Sequence, residues 1–219
     1  MQHEIIAKIH QVSKKFDDKL ALDQVSLDIQ SGEVLGILGP NGAGKTTLIN
    51  LMLGRLGLTA GDISIFGLQP GDIQLKRQCG AMLQVSGLPD MSTVKEHIEL
   101  FQSYYANPFE YQKVIDLAGL NDIQNQYSKS LSGGQKQRLM FALALIKDPQ
   151  IVFLDEPTTG LDPQSRRNLW DMIERIKAQG KTVLLTTHYM DEAELLCDTL
   201  VIVDRGKIIA QGTPQELLK

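Results

Sequence analysis

A glycine-rich octapeptide, GPNGAGKT, begins at Gly39 and carries the residue types that hold phosphate groups. In this spacing an ammonium at Lys45 reaches β- and γ-phosphate oxygens, and a hydroxyl at Thr46 ligates Mg²⁺. The octapeptide follows a strand-like apolar run, VLGILG, and precedes a helix-like segment, which is the context that this chemistry needs. The predicted phosphate-binding residues are Gly39, Pro40, Asn41, Gly42, Ala43, Gly44, Lys45, Thr46 and Thr47.

Two carboxylates, Asp155 and Glu156, follow the apolar run IVFL. Such a run predicts a strand buried on both faces, and its carboxyl end is where an open α/β sheet places ligands. Alone, an Asp-Glu pair is typical of a solvated turn; beside a phosphate loop it favours Mg²⁺-dependent phosphoryl transfer. We expect Asp155 to be the metal-side acid, acting through water, and Glu156 to polarise an attacking water.

His188 ends a further apolar run, TVLLTTH, so it can face the same crevice and hydrogen-bond a γ-phosphate. A structural or surface role is the alternative that the residues leave open. His3, His10 and His97 lack such a context and are predicted to be surface or packing residues.

A second stretch, SLSGGQKQR, resembles an anion-binding helix start. Ser132 fits an N-cap and Gln135 the capping-box position, while Gly133 and Gly134 leave backbone N–H groups accessible. A well-capped helix without a ligand is the alternative. The chain thus has two candidate phosphate-holding devices: the octapeptide of residues 39–46 (the P-loop), and residues 132–135 (the second phosphate-holding device).

The composition indicates a globular protein with a sizeable core, because 42% of the 219 residues are apolar. A net charge of -4 without a long Lys/Arg run argues against nucleic-acid binding. Cys79 and Cys197 give no paired spacing and are predicted to be buried free thiols in a reducing compartment. The longest clearly apolar run, residues 139–146, is too short to span a membrane, so the chain is expected to be soluble.

The elements that must position these residues alternate along the chain. Period-two patterns predict strands in residues 4–16 and 20–30 and a short strand pair in 61–70, and helical periodicity covers residues 91–147. Strand–helix–strand–helix–strand follows, with TLVIVDRGKIIAQG as the last strand, which is typical of a parallel α/β sheet.

The P-loop, MLQ at 82–84, LSGGQ, FLDEP, TGLD and His188 resemble, in identity and order, the motifs of ATP-binding subunits of ABC transporters. The resemblance covers essentially the whole chain. It implies an α/β fold: a P-loop NTPase (RecA-like) core with an N-terminal antiparallel β subdomain and a helical insert. We expect one domain, 1–219, with the core at about 1–85 and 141–219 and the insert at about 86–140.

By the same resemblance, Gln84 matches a glutamine that contacts Mg²⁺ and water, Asp162 matches the D-loop aspartate, and Phe16 sits where an aromatic ring stacks on adenine. Tyrosine is more usual at the last position. The cofactors are then ATP and Mg²⁺, with Thr46, Gln84 and Asp155 on the metal side. In such proteins two subunits pack head to tail, so Ser132, Gly133, Gly134 and Gln135 would close over the ATP of the partner.

The segments TTHYMDEAELLCD and GKIIAQGTPQEL look most like the branch that exports drugs, antibiotics and polysaccharides. The implied partners are a transmembrane permease subunit and a second ATP-binding subunit, at the cytoplasmic side of the cell membrane. The alternatives are an importer subunit, a soluble ABC ATPase acting on ribosomes or DNA, and a module that binds ATP without turnover.

Apolar residues after Gln84 are the expected seat of the permease. Val85, Leu88 and Met91 lie in a predicted loop, and Leu88 and Met91 are predicted to line a groove that receives a short helix of the membrane subunit. Val94, Ile98 and Phe101 follow at helical spacing and are expected to pack into the insert's own core.

Overall fold

Residues 4–84 and 87–217, which the computed structural model describes, form a three-stranded and a six-stranded sheet with helices packed around them. Their strands are β1 (Ile5–Phe16), β2 (Lys19–Gln30), β3 (Val34–Leu38), β4 (Ala60–Ile65), β5 (Cys79–Met82), β6 (Ile151–Asp155), β7 (Thr182–Thr187), β8 (Thr199–Asp204) and β9 (Lys207–Gly212). Their helices are α1 (Lys45–Met52), α2 (Ile73–Gln78), α3 (Val94–Ser103), α4 (Tyr111–Ala118), α5 (Gly133–Leu145), α6 (Pro163–Ala178), α7 (Met190–Leu196) and α8 (Pro214–Leu217). His3 and Val85 lie outside the described residues.

The larger sheet has the strand order β5-β6-β7-β3-β8-β9 and is parallel except between β8 and β9. Every residue of β3, β6 and β7 is buried, which explains their largely apolar sequences. Because parallel strands end at the same edge of a sheet, the P-loop, the two carboxylates and His188 emerge together. The predicted α/β fold is confirmed.

The smaller sheet pairs β1 with β2 and β4, all antiparallel, as the predicted N-terminal β subdomain requires. The expected strand pair in residues 61–70 is wrong in part, because the structure has one strand, β4, and a single bridge between Ile65 and Leu68. The chain reverses at Phe66 and Gly67, both with positive φ. Pro70 follows soon after the bridge and has no N–H to extend a ladder.

Residues 199–212 form a hairpin of β8 and β9, not the single predicted strand. Arg205 and Gly206 connect the strands with φ of 46° and 78°. Two successive residues with positive φ form a tight turn whose backbone twist matches that of the two strands of a β-hairpin. The turn packs against the P-loop, where the Gly206 N–H donates to the Ala43 carbonyl at 2.9 Å.

The two faces of the larger sheet belong to separate hydrophobic clusters, because alternate residues of a strand point to opposite faces. In β3, Val34 and Leu38 join the cluster of the middle helices, whereas Leu35 and Ile37 join the cluster with α1 and the antiparallel sheet. The strand β6 alternates in the same way, with Val152 and Leu154 on one side and Ile151 and Phe153 on the other.

The middle of the chain is helical, as predicted. Val94 and Ile98 of α3 are fully buried, and Phe101 is partly buried against the same cluster. His97 is buried too, with its Nε2 2.6 Å from the Ser128 hydroxyl, and burial lowers its pKa. His10, in contrast, is exposed.

Cys79 and Cys197 are buried free thiols, as the sequence predicts. Burial raises the pKa of Cys79 to about 11 and raises that of Cys197 still further. Within residues 4–84 and 87–217, no helix has the length and apolar character that crossing a bilayer requires.

Candidate nucleotide-binding and catalytic site

The loop of residues 39–44 connects the end of β3 to the first residue of α1, where the N–H groups at a helix start and the helix dipole favour an anion. Gly44 has a φ of 112°, and a Cβ there would lie 2.8 Å from the Ala21 carbonyl oxygen, so a larger residue does not fit. The start of β2 therefore packs directly against the phosphate loop. This contact brings the aromatic end of β1 to the same pocket.

Lys45 is 4% exposed, and three oxygens surround its ammonium group. Its Nζ donates to the carbonyls of Gly39 at 2.7 Å and Pro40 at 3.2 Å, and it lies 3.1 Å from Glu156 Oε1. The ion pair with Glu156 is buried on both sides. The ammonium that would contact a triphosphate is thus held at the loop by a carboxylate.

Asp155, the last residue of β6, is buried beside the start of α1. Its Oδ1 accepts hydrogen bonds from the hydroxyls of Thr186 at 2.6 Å and Thr46 at 3.2 Å. Its Oδ2 is buried and has no hydrogen-bond partner in the described part of the chain. A carboxylate oxygen without a protein partner, next to a threonine hydroxyl, fits a hard cation with its water shell.

Glu156 follows directly and has a φ of 48°, which is strained for a non-glycine residue. The Thr186 hydroxyl and carbonyl fix this backbone by accepting from the Glu156 N–H at 3.0 and 3.1 Å. One carboxylate oxygen faces Lys45, and the other lies 3.5 Å from His188 Nδ1 and 3.3 Å from the Thr159 hydroxyl. The carboxylate therefore bridges the phosphate loop and the histidine.

A cavity of about 670 Å³ opens in front of these residues. Lys45, Thr46, Gln84 and Glu156 line it, and so does Phe16, which is 42% exposed. The remaining lining residues include five that the sequence did not indicate, which are Lys19, Leu20, Ala21, Arg205 and Gly206. Lys19, Leu20 and Ala21 begin β2, and Arg205 and Gly206 form the turn after β8; no local motif marks them as cavity residues.

The ring of Phe16 is also contacted from within its own sheet. Lys14 Nζ lies 4.9 Å from the ring centroid and donates to the Gly57 carbonyl at 2.8 Å. This cation–π contact helps to fix the orientation of a ring that lines the cavity.

The second phosphate-holding device has the predicted local structure. Ser132 caps α5 through a capping box, and its hydroxyl accepts from the Gln135 N–H at 3.2 Å. A Cβ at Gly134 would lie 2.3 Å from the Ser165 hydroxyl, so α5 begins in tight contact with α6. Gly133 is exposed, and a Cβ there would have Leu161 Cδ2 at 4.0 Å as its nearest neighbour.

Asp162 caps α6 by accepting from the N–H groups of Gln164 and Ser165 and from the Ser165 hydroxyl. These hydrogen bonds lower the pKa of its carboxyl. Neither Asp162 nor the residues of the second device line the cavity in the described part of this chain. The structure therefore gathers the predicted P-loop, Glu156, Gln84 and Phe16 around the cavity, with Asp155 joined to them through Thr46 and His188 through Glu156. Ser132, Gly133, Gly134, Gln135 and Asp162 lie elsewhere.

A phosphate loop between a buried strand and a helix, with acidic residues at the end of a nearby parallel strand, defines a P-loop nucleotide hydrolase. The chain belongs to the ABC transporter family, since the sequence profile described as "ABC transporter" matches residues 22–159. It is an ATP-binding, ATP-hydrolysing domain of this family.

Curated relatives and solved structures agree with that assignment. The chain is 42% identical over 216 residues to the Nod factor export ATP-binding protein I of Burkholderia pseudomallei (strain 1710b), with 95% of this chain and 71% of the relative covered. The crystal structure of the ADP conformation of an ATP-binding cassette of an ABC transporter superposes with a TM-score of 0.86 at 26% identity, with coverage of 97% and 92%. A dimeric, post-hydrolysis cassette bound to ADP and Pi superposes with a TM-score of 0.84 at 26% identity, with coverage of 95% and 98%.

Proposed function

We propose that the chain is the ATP-hydrolysing subunit that powers a separate membrane exporter, held at the cytoplasmic side of the membrane by a transmembrane permease subunit. The direction of transport is supported by the names of the curated relatives, which are export proteins. An ABC importer subunit is the first alternative, and a soluble ABC ATPase without a transport role is the second.

In the proposed reaction, the loop N–H groups and Lys45 bind the phosphates of ATP, and Phe16 stacks on the base. Thr46 and Asp155 would hold Mg²⁺, the aspartate through water, with Gln84 in contact with the ion and the attacking water. The bound ion would neutralise charge that develops on the phosphate oxygens. Glu156 polarises the attacking water, and His188 hydrogen-bonds the γ-phosphate.

We further infer that two subunits pack head to tail. Asp162 and the second phosphate-holding device of one subunit then complete the ATP site formed by the P-loop of the other. The observation that supports this most is their position: Ser132 and Gly133 are exposed and do not line the cavity of their own chain, and the nearest atom to a Cβ at Gly133 would be Leu161 Cδ2 at 4.0 Å. A helix start with small residues is suited to cover the uncovered face of a γ-phosphate held by another chain.

The test combines two substitutions. Glu156→Gln keeps the shape of the site but slows hydrolysis, so size-exclusion chromatography at micromolar protein with ATP and Mg²⁺ should show a dimer. Adding Gly133→Ala should restore the monomer, because the new methyl group occupies the face reserved for the partner's phosphate. Gly57→Ala is the control for an added methyl group, since a Cβ there meets nothing within 4 Å, and the bond from Lys14 goes to the Gly57 carbonyl, which the substitution keeps. A monomeric Glu156→Gln protein would contradict the shared site, and a dimeric double variant would contradict the role of Gly133.

For the permease we propose a seat between the core and the insert of residues 86–140. A groove of about 460 Å³ lies there, and Leu88, Leu100, Phe101 and Met140 are among its apolar lining residues. Leu88 thus lies in the predicted groove, but Met91 is not part of its lining; it is 68% exposed, and its sulfur is 3.5 Å from Lys129 Nζ.

This difference supplies a matched pair of variants. Leu88→Asp places a charge in the groove and should abolish copurification with the membrane subunit, while basal ATPase activity of the isolated chain persists. Met91→Asp should leave copurification intact, because the side chain lies outside the groove. Retained copurification of a folded Leu88→Asp protein would rule out this seat, and loss in both variants would extend the seat to the Met91 loop.

A further inference from the structure

His188 is weakly held for a residue that must meet a γ-phosphate. His188 lies one residue beyond the end of β7 at Thr187, outside the paired part of the strand. The His188 side chain is 31% exposed. In the described part of the chain two contacts orient it: the 3.5 Å approach of Nδ1 to Glu156, and the ring of Tyr189.

The Tyr189 ring is part of a stack that continues away from the site. The centroids of the His188 and Tyr189 rings lie 4.1 Å apart at an interplanar angle of 39°. The guanidinium carbon of Arg166 lies 4.4 Å from the Tyr189 centroid. The Tyr189 backbone is fixed as well, since its N–H donates to the Thr187 hydroxyl at 3.0 Å.

Arg166 is itself anchored. It lies in the first turn of α6, its N–H donates to the Asp162 carbonyl at 3.0 Å, and its side chain is 21% exposed. Its Nη1 lies 3.4 Å from Asp191 Oδ2 on α7, so the guanidinium spans the two helices. A planar guanidinium on an aromatic face is a favourable pair, stronger when shielded from water.

We propose that Tyr189 and Arg166 are positioning residues for ATP hydrolysis: the clamped Tyr189 ring restricts the imidazole of His188 to the orientation that faces Glu156 and the γ-phosphate. The proposal rests on the catalytic role proposed above for His188. Without the stack, three χ1 wells and a two-fold χ2 give His188 about six orientations. If one of these is productive, the competent fraction and kcat fall by about five- to tenfold.

The test compares steady-state ATPase kinetics of the full chain. Tyr189→Ala should lower kcat by about five- to tenfold with KM for ATP within twofold, because the phosphate loop is untouched. Tyr189→Phe keeps the ring and should retain the wild-type rate, and Arg166→Met should lower kcat in the same direction by less. Met190→Ala is the control, since this neighbour is 65% exposed and outside the stack.

The double variant His188→Ala with Tyr189→Ala separates positioning from general damage to the fold. If Tyr189 acts through His188, the double variant should be no slower than His188→Ala. An additional loss, or a Tyr189→Phe protein as slow as Tyr189→Ala, would overturn the proposal. Full activity of His188→Ala would instead refute the role of His188 itself, and full activity of Tyr189→Ala beside an inactive His188→Ala would refute only the positioning.

Discussion

Glu156 does more in this structure than face the attacking water, because it is also the counter-ion of the phosphate-binding lysine. Its Oε1 lies 3.1 Å from Lys45 Nζ, and the two side chains are 7% and 4% exposed. A bound triphosphate offers the same ammonium several negative oxygens. We therefore predict that Glu156→Gln, besides slowing hydrolysis, tightens the binding of a non-hydrolysable ATP analogue.

The size of this effect follows from the contacts that remain. Removing one partner of a buried ion pair typically costs about 3–5 kcal/mol. Lys45 keeps the Gly39 and Pro40 carbonyls, and the new amide oxygen can still accept a hydrogen bond, so we expect a loss of about 1–2 kcal/mol in the unfolding free energy of the nucleotide-free protein. A bound triphosphate supplies new negative partners for Lys45, so the same amount, about 1–2 kcal/mol, is regained on binding. Glu156→Gln should therefore bind the analogue about 5- to 30-fold more tightly than the wild-type chain.

Calorimetric titration with the analogue and urea unfolding without nucleotide measure the two halves of this prediction. Glu174→Gln, an exposed substitution on α6 with the same change in net charge, controls for the overall field of the protein. Unchanged or weaker analogue binding by Glu156→Gln would refute the idea that the carboxylate competes with the phosphates for Lys45.

Three further predictions concern the base, a histidine and a thiol. GTP should be hydrolysed within about tenfold of ATP in kcat/KM, because an aromatic ring stacks on any base, and competition kinetics showing strict ATP specificity would contradict this. Because burial lowers the pKa of His97, the unfolded chain binds more protons than the folded chain below about pH 6.5. The unfolding free energy should therefore fall as the pH drops from about 6.5 towards the lower pKa of the folded state. His97→Gln should make this fall smaller in urea titrations at several pH values. Cys79, with its pKa raised to about 11, should react with iodoacetamide at pH 8 far more slowly in the native protein than in urea, and equal rates by mass spectrometry would argue against its burial.

The sequence predicted those parts of the fold that carry a long or distinctive local pattern. The buried strands β3, β6 and β7 and the capped helix α5 are of this kind. The strand β5 is four residues long, CGAM, and the helix α2 before it has six, so neither is long enough to show a period. The turn at Arg205 and Gly206 does carry a signal, a glycine between two apolar runs, which separates the two strands of the hairpin.

The candidate site divides in the same way. Spacing alone identifies Lys45, Thr46 and the acidic pair, because each motif is contiguous. Lys19, at the start of β2, and Arg205, in the turn after β8, are 186 positions apart in the sequence and reach the cavity only through tertiary contacts. The stack of Tyr189 on His188 depends on Arg166, a residue of the helix α6, and no local sequence pattern predicts this contact.

The alternation of the central strands between two hydrophobic clusters limits how this chain can change in length. Substitution within β6 alters one cluster at a time, but inserting one residue would exchange Ile151 and Phe153 with Val152 and Leu154 across the sheet. The same shift would put Leu154 at the position beside Thr46 and Asp155 at the position beside Lys45 and His188, so the site would lose a carboxylate and misplace the other. Insertions and deletions can be absorbed by the turns and the helical segment, whereas the number of residues in these strands is fixed by the chemistry at their ends.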